Sequence, residues 1–572
     1  MPTLAPSEPA VAPGVGIDSV RARFPEGSIT PQEGLDQPTW IVKREVLPAL
    51  ARELCDDKET QFDLMLDLCG VDFPDREERF EAVYHLYSIP RASRLRLKVP
   101  LAENDAVLPS LISVWKGADW FEREIYDMFG VTVEGHPNLR RILCHEGFEG
   151  HPLRKDYDPA RRWILTEDKI YKPHFNLPER DDDLFERMTI NIGPSHPAMH
   201  GTFRLMAVLD GETIMASDVE IGYLHRCFEK MSETHTWQHV IPYTDRLNYC
   251  SAFINNVGYC RTVEQLLGIE APPRAVWART ILSEFSRIMD HCVCNGATLV
   301  DVGALTNFWY LFQPREEIYG LLEACCGARL TVSYGRIGGL SQDLPPDFME
   351  RSRRLVDMIP QYVEDVEKLI NRNRIWLDRS VGIAAITGEE AVNWGWTGPC
   401  LRASGVPYDV RRAHPYDLYD TVDWEVPVLF GGDVYDRFRI RMMEIRESLK
   451  IIRQLLDRGM PEGPYIVDDP HVALPPKEAC YNQMEAMIYH FKLIMDGIQV
   501  PAGEVYSMVE GANGELGFYT VSDGTSKPYR NHCRAPCFPI FSTFPRLING
   551  GSLSDAIATL GGLNIIAGEL ER

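Results

Sequence analysis

The residues of this chain best suited to chemistry by type and spacing are two histidines, His196 and His200, in the segment 193–204, which reads GPSHPAMHGTFR. Two prolines stand among them. Proline neither continues a helix interior nor donates to a central strand, so we expect a stiffened loop rather than a regular element. Downstream, the Asp-Gly pair at 210–211 separates two apolar-rich runs and predicts a hairpin. Because imidazole titrates near neutral pH, a histidine held by such a loop can deliver or accept a proton.

The same spacing is also typical of two metal ligands on one face of a helix. Pro197 breaks the helix that such a pair needs, and no third ligand stands nearby in the sequence. A single histidine in a loop usually makes structural hydrogen bonds. From the residues alone, that structural interpretation is the default for both His196 and His200.

The composition limits the classes of protein to which the chain can belong. Its 572 residues predict two or three domains, and a net charge of −24 argues against binding nucleic acid or docking on anionic lipid by charge alone. No apolar run reaches the roughly 18 residues of a membrane span, and the first residues lack the pattern of a signal peptide. The 14 cysteines are dispersed, which indicates reduced thiols in a cytoplasm.

Hydrophobic patterning predicts an α+β fold for the whole chain, with an N-terminal α+β domain at 1–160. In this domain we expect strands at 40–42, 62–69, 80–89 and 95–101 and helical segments at 46–55 and 106–129. In the strand at 95–101, apolar residues alternate with Arg96 and Lys98, which is the period of a half-buried strand. Neighbouring strands joined by short turns predict an antiparallel sheet.

A charged run, PERDDD at 178–183, predicts an exposed linker at 161–187. The following domain, 188–572, is predicted to be mainly α-helical with small β regions. Its long helices are expected at 275–295, 355–370, 437–456 and 480–495, and its β segments at 188–222, 505–509 and 516–521.

Several motifs of well-known sites are missing from the sequence. No GxGxxG follows a strand and no GxxxxGK[ST] occurs, so nothing marks a dinucleotide or nucleotide phosphate site. There is no CxxC, and the closest cysteine groupings match neither a zinc ribbon nor a four-cysteine iron–sulfur run. We therefore expect that this chain alone holds no metal or cluster.

Longer segments carry a family resemblance. The segment FEREIYDMFGVTVEGHPNLRRIL at 121–143 resembles the signature of the 30-kDa-type (C) subunit of NADH–quinone oxidoreductase, respiratory complex I. Six further segments resemble the 49-kDa-type (D) subunit: GPSHPAMHGTFR, GYLHRCFEK, PYTDRLNY, DVGALT, RIGG and GELGFYTVSDG. Their order and spacing match along nearly the whole chain, which therefore resembles the bacterial fused C/D subunit.

The resemblance implies a site and its residues. The 49-kDa-type subunit of this family has the fold of the [NiFe]-hydrogenase large subunit without its metal. By motif, His200 and Tyr249 would hydrogen-bond the two carbonyls of a quinone head, and Asp301 would sit behind His200. Arg226, Arg246 and Arg336 would lie near an iron–sulfur cluster that an adjacent subunit holds. Quinone reduction takes two electrons and two protons, and a phenol and an imidazole can each donate one proton.

The resemblance also implies an assembly. The chain would be a peripheral-arm subunit of a proton-translocating NADH:quinone oxidoreductase, active only within the complex, with quinone as substrate and with NAD and FMN bound by other subunits. Its partners would be the terminal iron–sulfur cluster subunit, the ferredoxin-like subunit and the quinone-channel membrane subunit. It would lie on the cytoplasmic face of the bacterial inner membrane, as a peripheral protein that reaches the membrane through its partners.

Two rival functions and several structural interpretations stand beside this one. A [NiFe]-hydrogenase large subunit needs two CxxC pairs, which the sequence lacks, whereas a purely structural scaffold fits the N-terminal domain, where we find no acid–base cluster. In isolation, Tyr249 is interpreted as a core aromatic residue. Asp301, placed by a short link after the helix at 275–295, is interpreted as a capping or turn residue. The three arginines can equally form surface salt bridges.

Thr331 departs from the family pattern, which commonly has a histidine near the cluster at this position. That histidine is thought to make the potential of the cluster depend on pH, and threonine does not titrate in this range. We therefore expect a weaker pH dependence of the partner cluster's potential, measured by redox titration of the complex at several pH values. A slope of about 60 mV per pH unit, as one proton per electron requires, would contradict this expectation.

Overall fold

The computed structural model describes residues 16–34, 36–161, 173–175 and 187–572. The chain divides into two units, the first made of 1–141, 148–164 and 392–395, and the second of 142–147, 165–391 and 396–572. Both units combine helices and strands, so the predicted α+β class is confirmed. Most of the expected linker at 161–187 lies outside the described residues, and the domain boundaries at 160 and 188 stay a prediction.

In the first unit, the helices and strands in chain order are α1 (Ile17–Arg21), β1 (Ile29–Gln32), β2 (Thr39–Val42), α2 (Leu47–Asp56), β3 (Leu64–Asp72), β4 (Phe80–Ser88), β5 (Ser93–Leu101), β6 (Val107–Pro109), α3 (Ala118–Phe129) and β7 (Thr132–Glu134). Five of its strands form a sheet in the order β1-β2-β5-β4-β3. The predicted antiparallel pairing holds for every neighbour except β2 and β5, which run parallel. A parallel pair needs a long crossover, and the chain makes it through α2, β3 and β4.

Two predictions for this unit are wrong in detail. The strand at 95–101 is not half-buried, because Arg96 and Lys98 are themselves buried and form ion pairs with Asp36 and Glu81. Nor does a helix run from 106 to 129, since β6 occupies 107–109 and α3 begins only at Ala118. Proline at 109 cannot stand in a helix interior. Just after it, the Leu111 N–H donates a hydrogen bond to the buried Glu122 carboxylate at 2.6 Å instead of to a helix carbonyl.

The strands of the second unit are β8 (Met188–Ile192), β9 (Arg204–Asp210), β10 (Thr213–Glu220), β11 (Gly335–Arg336), β12 (Gly339–Leu340), β13 (Gly503–Glu510), β14 (Glu515–Ser522) and β15 (Arg530–Arg534). Its helices are α4 (Phe228–Thr234), α5 (Trp237–Thr244), α6 (Ala252–Leu267), α7 (Pro273–Asp301), α8 (Leu305–Cys326), α9 (Phe348–Ile370), α10 (Arg374–Asp378), α11 (Gly388–Asn393), α12 (Gly398–Arg402), α13 (Val410–Ala413), α14 (Val434–Arg458), α15 (Lys477–Asn482), α16 (Met484–Met495), α17 (Cys537–Ser542), α18 (Phe544–Ile548), α19 (Leu553–Leu563) and α20 (Ala567–Glu571). The last two residues of α11 belong to the first unit.

This unit is mainly helical, as predicted, and the hairpin at 210–211 is confirmed by the antiparallel pairing of β9 with β10. Two helix predictions are wrong. The segment 480–495 is divided at Gln483 into α15 and α16, and α7 continues past 295 to end at Asp301. Asp301 therefore belongs to the helix and does not follow it after a link. Within the described part of the chain, no helix combines the length and the apolar character needed to cross a bilayer.

A buried ion cluster fixes α7 against its neighbours. The Glu284 carboxylate accepts hydrogen bonds from Arg411 at 3.1 Å, from the Tyr419 hydroxyl at 2.6 Å and from the Ser448 hydroxyl at 2.5 Å. Arg287, one turn along α7, lies 3.3 Å away. Burial alone raises the pKa of Glu284, but the charges of Arg287 and Arg411 outweigh it and lower the pKa to about 2.

Replacing this carboxylate tests the cluster. Glu284→Gln should lower the free energy of unfolding by about 3–5 kcal/mol at neutral pH, because it takes the adjacent carboxylate away from the buried Arg287 and leaves Arg411 with Asp409 alone. The folded-state pKa of Glu284 is depressed, so its stabilisation is complete above the ordinary value of 4.5 and is lost as the pH falls toward about 2. The free energies of unfolding of the variant and the wild type should therefore approach each other in that acid range. Thermal unfolding of both proteins at several pH values measures this difference.

The matched control is Glu317→Gln, which removes one partner of an exposed ion pair with Arg354. Its effect should stay below about 1 kcal/mol. Equal effects of the two substitutions would contradict the stabilising role assigned to the buried cluster.

Candidate functional site

We expected no regular structure in the loop that contains the two histidines. The structure corrects this, because Pro197–Met199 form one short turn of 3₁₀ helix. His196 stands before the turn, and its Nδ1 accepts the Ala198 N–H at 3.2 Å. This contact agrees with the structural interpretation of His196. His200 ends the turn with φ of 55°, a left-handed conformation that is uncommon outside glycine and often found at functional positions.

His200 and Asp301 lie in direct contact. The imidazole Nε2 is 2.8 Å from Asp301 Oδ2, and both side chains are mostly but not fully buried. This distance suits a charge-assisted contact when the imidazole is protonated. The carboxylate has room because residue 561 on α19 is glycine: a β-carbon there would stand 3.0 Å from Asp301 Oδ2. The pairing expected from the motifs is therefore present in the fold.

Tyr249 begins a second 3₁₀ turn, Tyr249–Ser251, which the Asn248 side chain caps by accepting the Cys250 N–H at 3.1 Å. The tyrosine is half-buried. Burial raises the pKa of Tyr249 to about 12, so the phenol keeps its proton throughout the neutral range. A phenol in this state can donate a hydrogen bond or a proton to a ligand oxygen.

The segment 561–572 brings these two turns together. A β-carbon on Gly201, next to His200, would stand 3.0 Å from the β-carbon of Ala567. The next residue, Gly568, lies so close to the other turn that a β-carbon would stand 2.7 Å from the Leu247 carbonyl oxygen and 3.2 Å from the Tyr249 ring. The His200 turn and the Tyr249 turn thus contact consecutive residues of α20.

The end of the same segment holds the loop that carries Arg226. Glu571 accepts the Leu224 N–H through its carboxylate, and its carbonyl oxygen contacts His225 Nδ1. The Arg226 N–H donates to the Arg572 carbonyl at 3.1 Å. Burial raises the pKa of Glu571 to about 7. The segment 561–572 therefore contacts all three of the loops that carry His200, Tyr249 and Arg226.

A buried polar network lies behind the Tyr249 turn. The Ser251 hydroxyl donates to Asp290 at 3.1 Å, and Asn564 donates to the other oxygen of Asp290 at 2.7 Å. Glu569 accepts from Asn513 at 3.0 Å and from the Cys537 thiol at 3.3 Å. Burial raises the pKa of Glu569 to about 7. These bonds tie the Tyr249 turn to α7 and to the segment 561–572.

Arg226 and Arg246 come together, as the motifs implied. Arg226 Nη2 donates to the Arg246 carbonyl at 3.4 Å, and burial, with a smaller effect of Arg246, lowers the pKa of Arg226. Both line a recess of about 600 Å³ whose other lining residues are His235, His239, Pro242 and Tyr243. The two histidines are functional candidates that the sequence analysis missed; their proximity to the PYTDRLNY segment was the available signal.

Arg336 is not among the residues that line this recess. It lies on β11, where its carbonyl accepts from the buried Arg279 guanidinium at 2.7 Å. The loop that precedes β11 carries Thr331 and is joined to the Arg246 region through Ser333, whose N–H donates to Asp245 at 3.0 Å. The structure therefore brings two of the three predicted arginines together and leaves the third on a neighbouring element.

An aromatic surface begins four residues after Asp301, on the first turns of α8. Phe308 and Phe312 stack with ring centroids 3.8 Å apart, and both approach α7 at Gly296. Leu305 and Trp309 are exposed beside them. The sequence analysis did not select this run, although its letters, LTNFWYLF, were a signal. The start of α8 therefore presents apolar side chains close in sequence to Asp301.

Comparison with known proteins gives matches over both parts of the chain. The family model described as "Respiratory-chain NADH dehydrogenase, 30 Kd subunit" matches residues 40–162, and that described as "Respiratory-chain NADH dehydrogenase, 49 Kd subunit" matches residues 301–572. The chain is 49% identical to the NADH-quinone oxidoreductase C/D subunit of Bdellovibrio bacteriovorus, covering 93% of this chain and 94% of that protein. For the C/D subunit of Acidiphilium cryptum, identity is 38% over 98% of each chain. The D subunit of Flavobacterium johnsoniae is 50% identical over 70% of this chain and 97% of its own.

Gly568 offers a test of the way in which α20 holds the site. Gly568→Ala should destabilise the contact by about 1–3 kcal/mol, because the new methyl group meets main-chain oxygens that cannot move alone. We expect a lower melting temperature of the full chain and faster hydrogen–deuterium exchange in 561–572. Gly320→Ala on α8 is the control: its β-carbon meets nothing within 4 Å, so stability should stay equal or rise. Unchanged exchange in Gly568→Ala would refute the close packing.

Proposed function

The chain belongs to the family of NADH-quinone oxidoreductase C/D subunits, and from this membership and the site geometry we propose that its second unit forms the quinone-head site where quinone is reduced to quinol. The resemblance drawn from the motifs is thereby confirmed at the level of the family. As a member of this family, the chain is a subunit of an oxidoreductase and acts together with the other subunits of that complex. The quinone-head site is the part that we assign to this chain.

The observation that carries the proposal is the 2.8 Å approach of His200 to Asp301 beside the Tyr249 turn. Reduction of a quinone adds two electrons and two protons and converts both ring carbonyls to hydroxyls. The Tyr249 phenol donates one proton, and the protonated imidazole of His200, which contacts the Asp301 carboxylate, donates the other. The electrons come from an iron–sulfur cluster that an adjacent subunit holds.

Donation leaves a phenolate at Tyr249 and a neutral imidazole at His200, and both must regain a proton before the next turnover. The phenolate is the costly species, since burial raises the pKa of Tyr249 to about 12. Reprotonation is therefore strongly favoured. We propose that this change of charge, in a pocket of low dielectric constant, couples quinone chemistry to proton movement in the membrane subunits.

The exposed aromatic residues of α8 support binding of the quinone ring, and the recess with Arg226 and Arg246 supports an approach to the cluster from the other side of the Tyr249 turn. In the proposal, Arg336 also lies on the cluster side. NAD and FMN bind to other subunits of the complex. The chain contacts the terminal cluster subunit, the ferredoxin-like subunit and the quinone-channel membrane subunit, peripherally on the cytoplasmic face of the inner membrane.

Family membership favours quinone reduction over the rival assignment as a hydrogenase large subunit, whose two CxxC pairs the sequence lacks. A scaffold role remains the proposal for the first unit, which we assign to docking. For the second unit, a photoreactive quinone analogue distinguishes the two functions. Labelling of peptides that contain His200 or Tyr249 supports the quinone site, and labelling confined to other subunits argues for a scaffold.

Removal of the phenol tests the proposed proton donor. Tyr249→Phe should lower quinone reductase turnover in membranes by about 100-fold or more, because one positioned general acid is lost. Assembly should survive, since the ring that packs against Gly568 is kept. The amount of complex that contains this chain, measured on native gels, serves as the internal measure of assembly.

Tyr362→Phe on α9 is the matched control and should leave turnover unchanged. Wild-type quinone turnover in an assembled Tyr249→Phe complex would remove Tyr249 from the mechanism. Loss of the assembled complex from native gels in the same variant would instead indicate failed assembly, and Asp301→Asn then provides the second probe of the site.

A further inference from the structure

One helix of the second unit presents a continuous apolar face to solvent. On α16, the residues Met484, Met487, Ile488, Phe491, Ile494 and Met495 are between 46% and 75% exposed. Counted from the first, they stand at i, i+3, i+4, i+7, i+10 and i+11, which places them on one stripe along the helix. We call these six residues the α16 stripe.

The opposite side of α16 is held by the rest of the unit. Ala486 is buried, and the Tyr489 ring packs edge-on against His471 with centroids 5.1 Å apart. The helix is therefore fixed with the α16 stripe pointing outward. Single exposed apolar residues are normal on protein surfaces, but a contiguous group of this kind marks an interaction site.

The charges on and around α16 discriminate between a membrane and a protein as the partner. No member of the α16 stripe is charged, and the helix exposes only three polar side chains beside it, those of Glu485, His490 and Lys492. Helices that lie on membranes are instead rich in lysine and arginine on their polar face. The net charge of −24 also repels anionic lipid. A neutral apolar protein surface is the complementary partner.

We propose that the α16 stripe is the docking surface for another subunit of the same oxidoreductase complex, which covers it with an apolar groove or helix. Spacings of three and four residues are those by which an amphipathic helix fills a groove, and methionine side chains adapt to an uneven partner surface. The inference rests on family membership as a complex subunit and goes beyond the quinone site, so either can fail without the other.

Photo-crosslinking in the intact complex tests the proposal directly. A photoreactive phenylalanine analogue replaces Phe491, and the same analogue at Phe430, an exposed phenylalanine on a loop, gives the background yield. We expect adducts between this chain and another subunit of the complex at about tenfold the background or more. Adducts with lipid, with a second copy, within this chain, or none above background would overturn the proposal.

A charge on the stripe gives a second measurement. The double substitution Met487→Glu and Phe491→Glu should reduce the amount of assembled complex by about tenfold or more on native gels. Lys492→Glu, which places the same residue on the polar side of α16, should leave assembly unchanged. Circular dichroism of the purified full chain confirms that each variant folds. Wild-type assembly of a folded double variant would overturn the proposal.

Discussion

The contacts of the segment 561–572 are the constraint on which the candidate site depends. The loops that carry His200, Tyr249 and Arg226 are short, and local hydrogen bonds fix the shape of each loop but not its position relative to the others. Their relative positions come from packing against α20 and from the hydrogen bonds of residues 224–226 with Glu571 and Arg572. Glycine at 568 permits this approach, because any side chain would collide with main-chain oxygens. A site that must hold two donors against one small ring needs such a common support.

Helix α7 supplies the second support. It carries Glu284 in the buried ion cluster, Asp290 in the network behind the Tyr249 turn, and Asp301 beside His200. From Glu284 to Asp301 the helix rises about 25 Å, so one rigid element joins the packed interior to the edge of the site. The carboxylates of the interior are held by partners inside the unit and fix the helix, whereas Asp301 at its end contacts the imidazole of His200. The residue that stabilises the interior, Glu284, and the residue that contacts His200, Asp301, thus lie at different positions of α7.

Residues 246–249 connect two parts of the proposed quinone site. Arg246 lines the basic recess, and three residues later Tyr249 faces the segment 561–572. The main chain from 246 to 249 thus joins the recess, proposed to face the partner's cluster, to the Tyr249 turn, proposed to donate a proton. The α16 stripe is a separate surface, and its apolar character agrees with a protein that acts together with others in a complex.

The sequence by itself determined the residue types, the motifs, the family and most of the long helices and strands, since these depend on local periodicity and on letters that lie close together. It did not determine that β2 pairs parallel to β5, that α7 reaches Asp301, or that Arg96 and Lys98 are buried with partners. Nor did it indicate the roles of Gly561 and Gly568, His235 and His239. These facts depend on contacts between residues far apart in the chain, such as His200 with Asp301 and Tyr249 with Gly568. Only the tertiary structure decides them, because the energy of such a contact exists only after the intervening chain has folded.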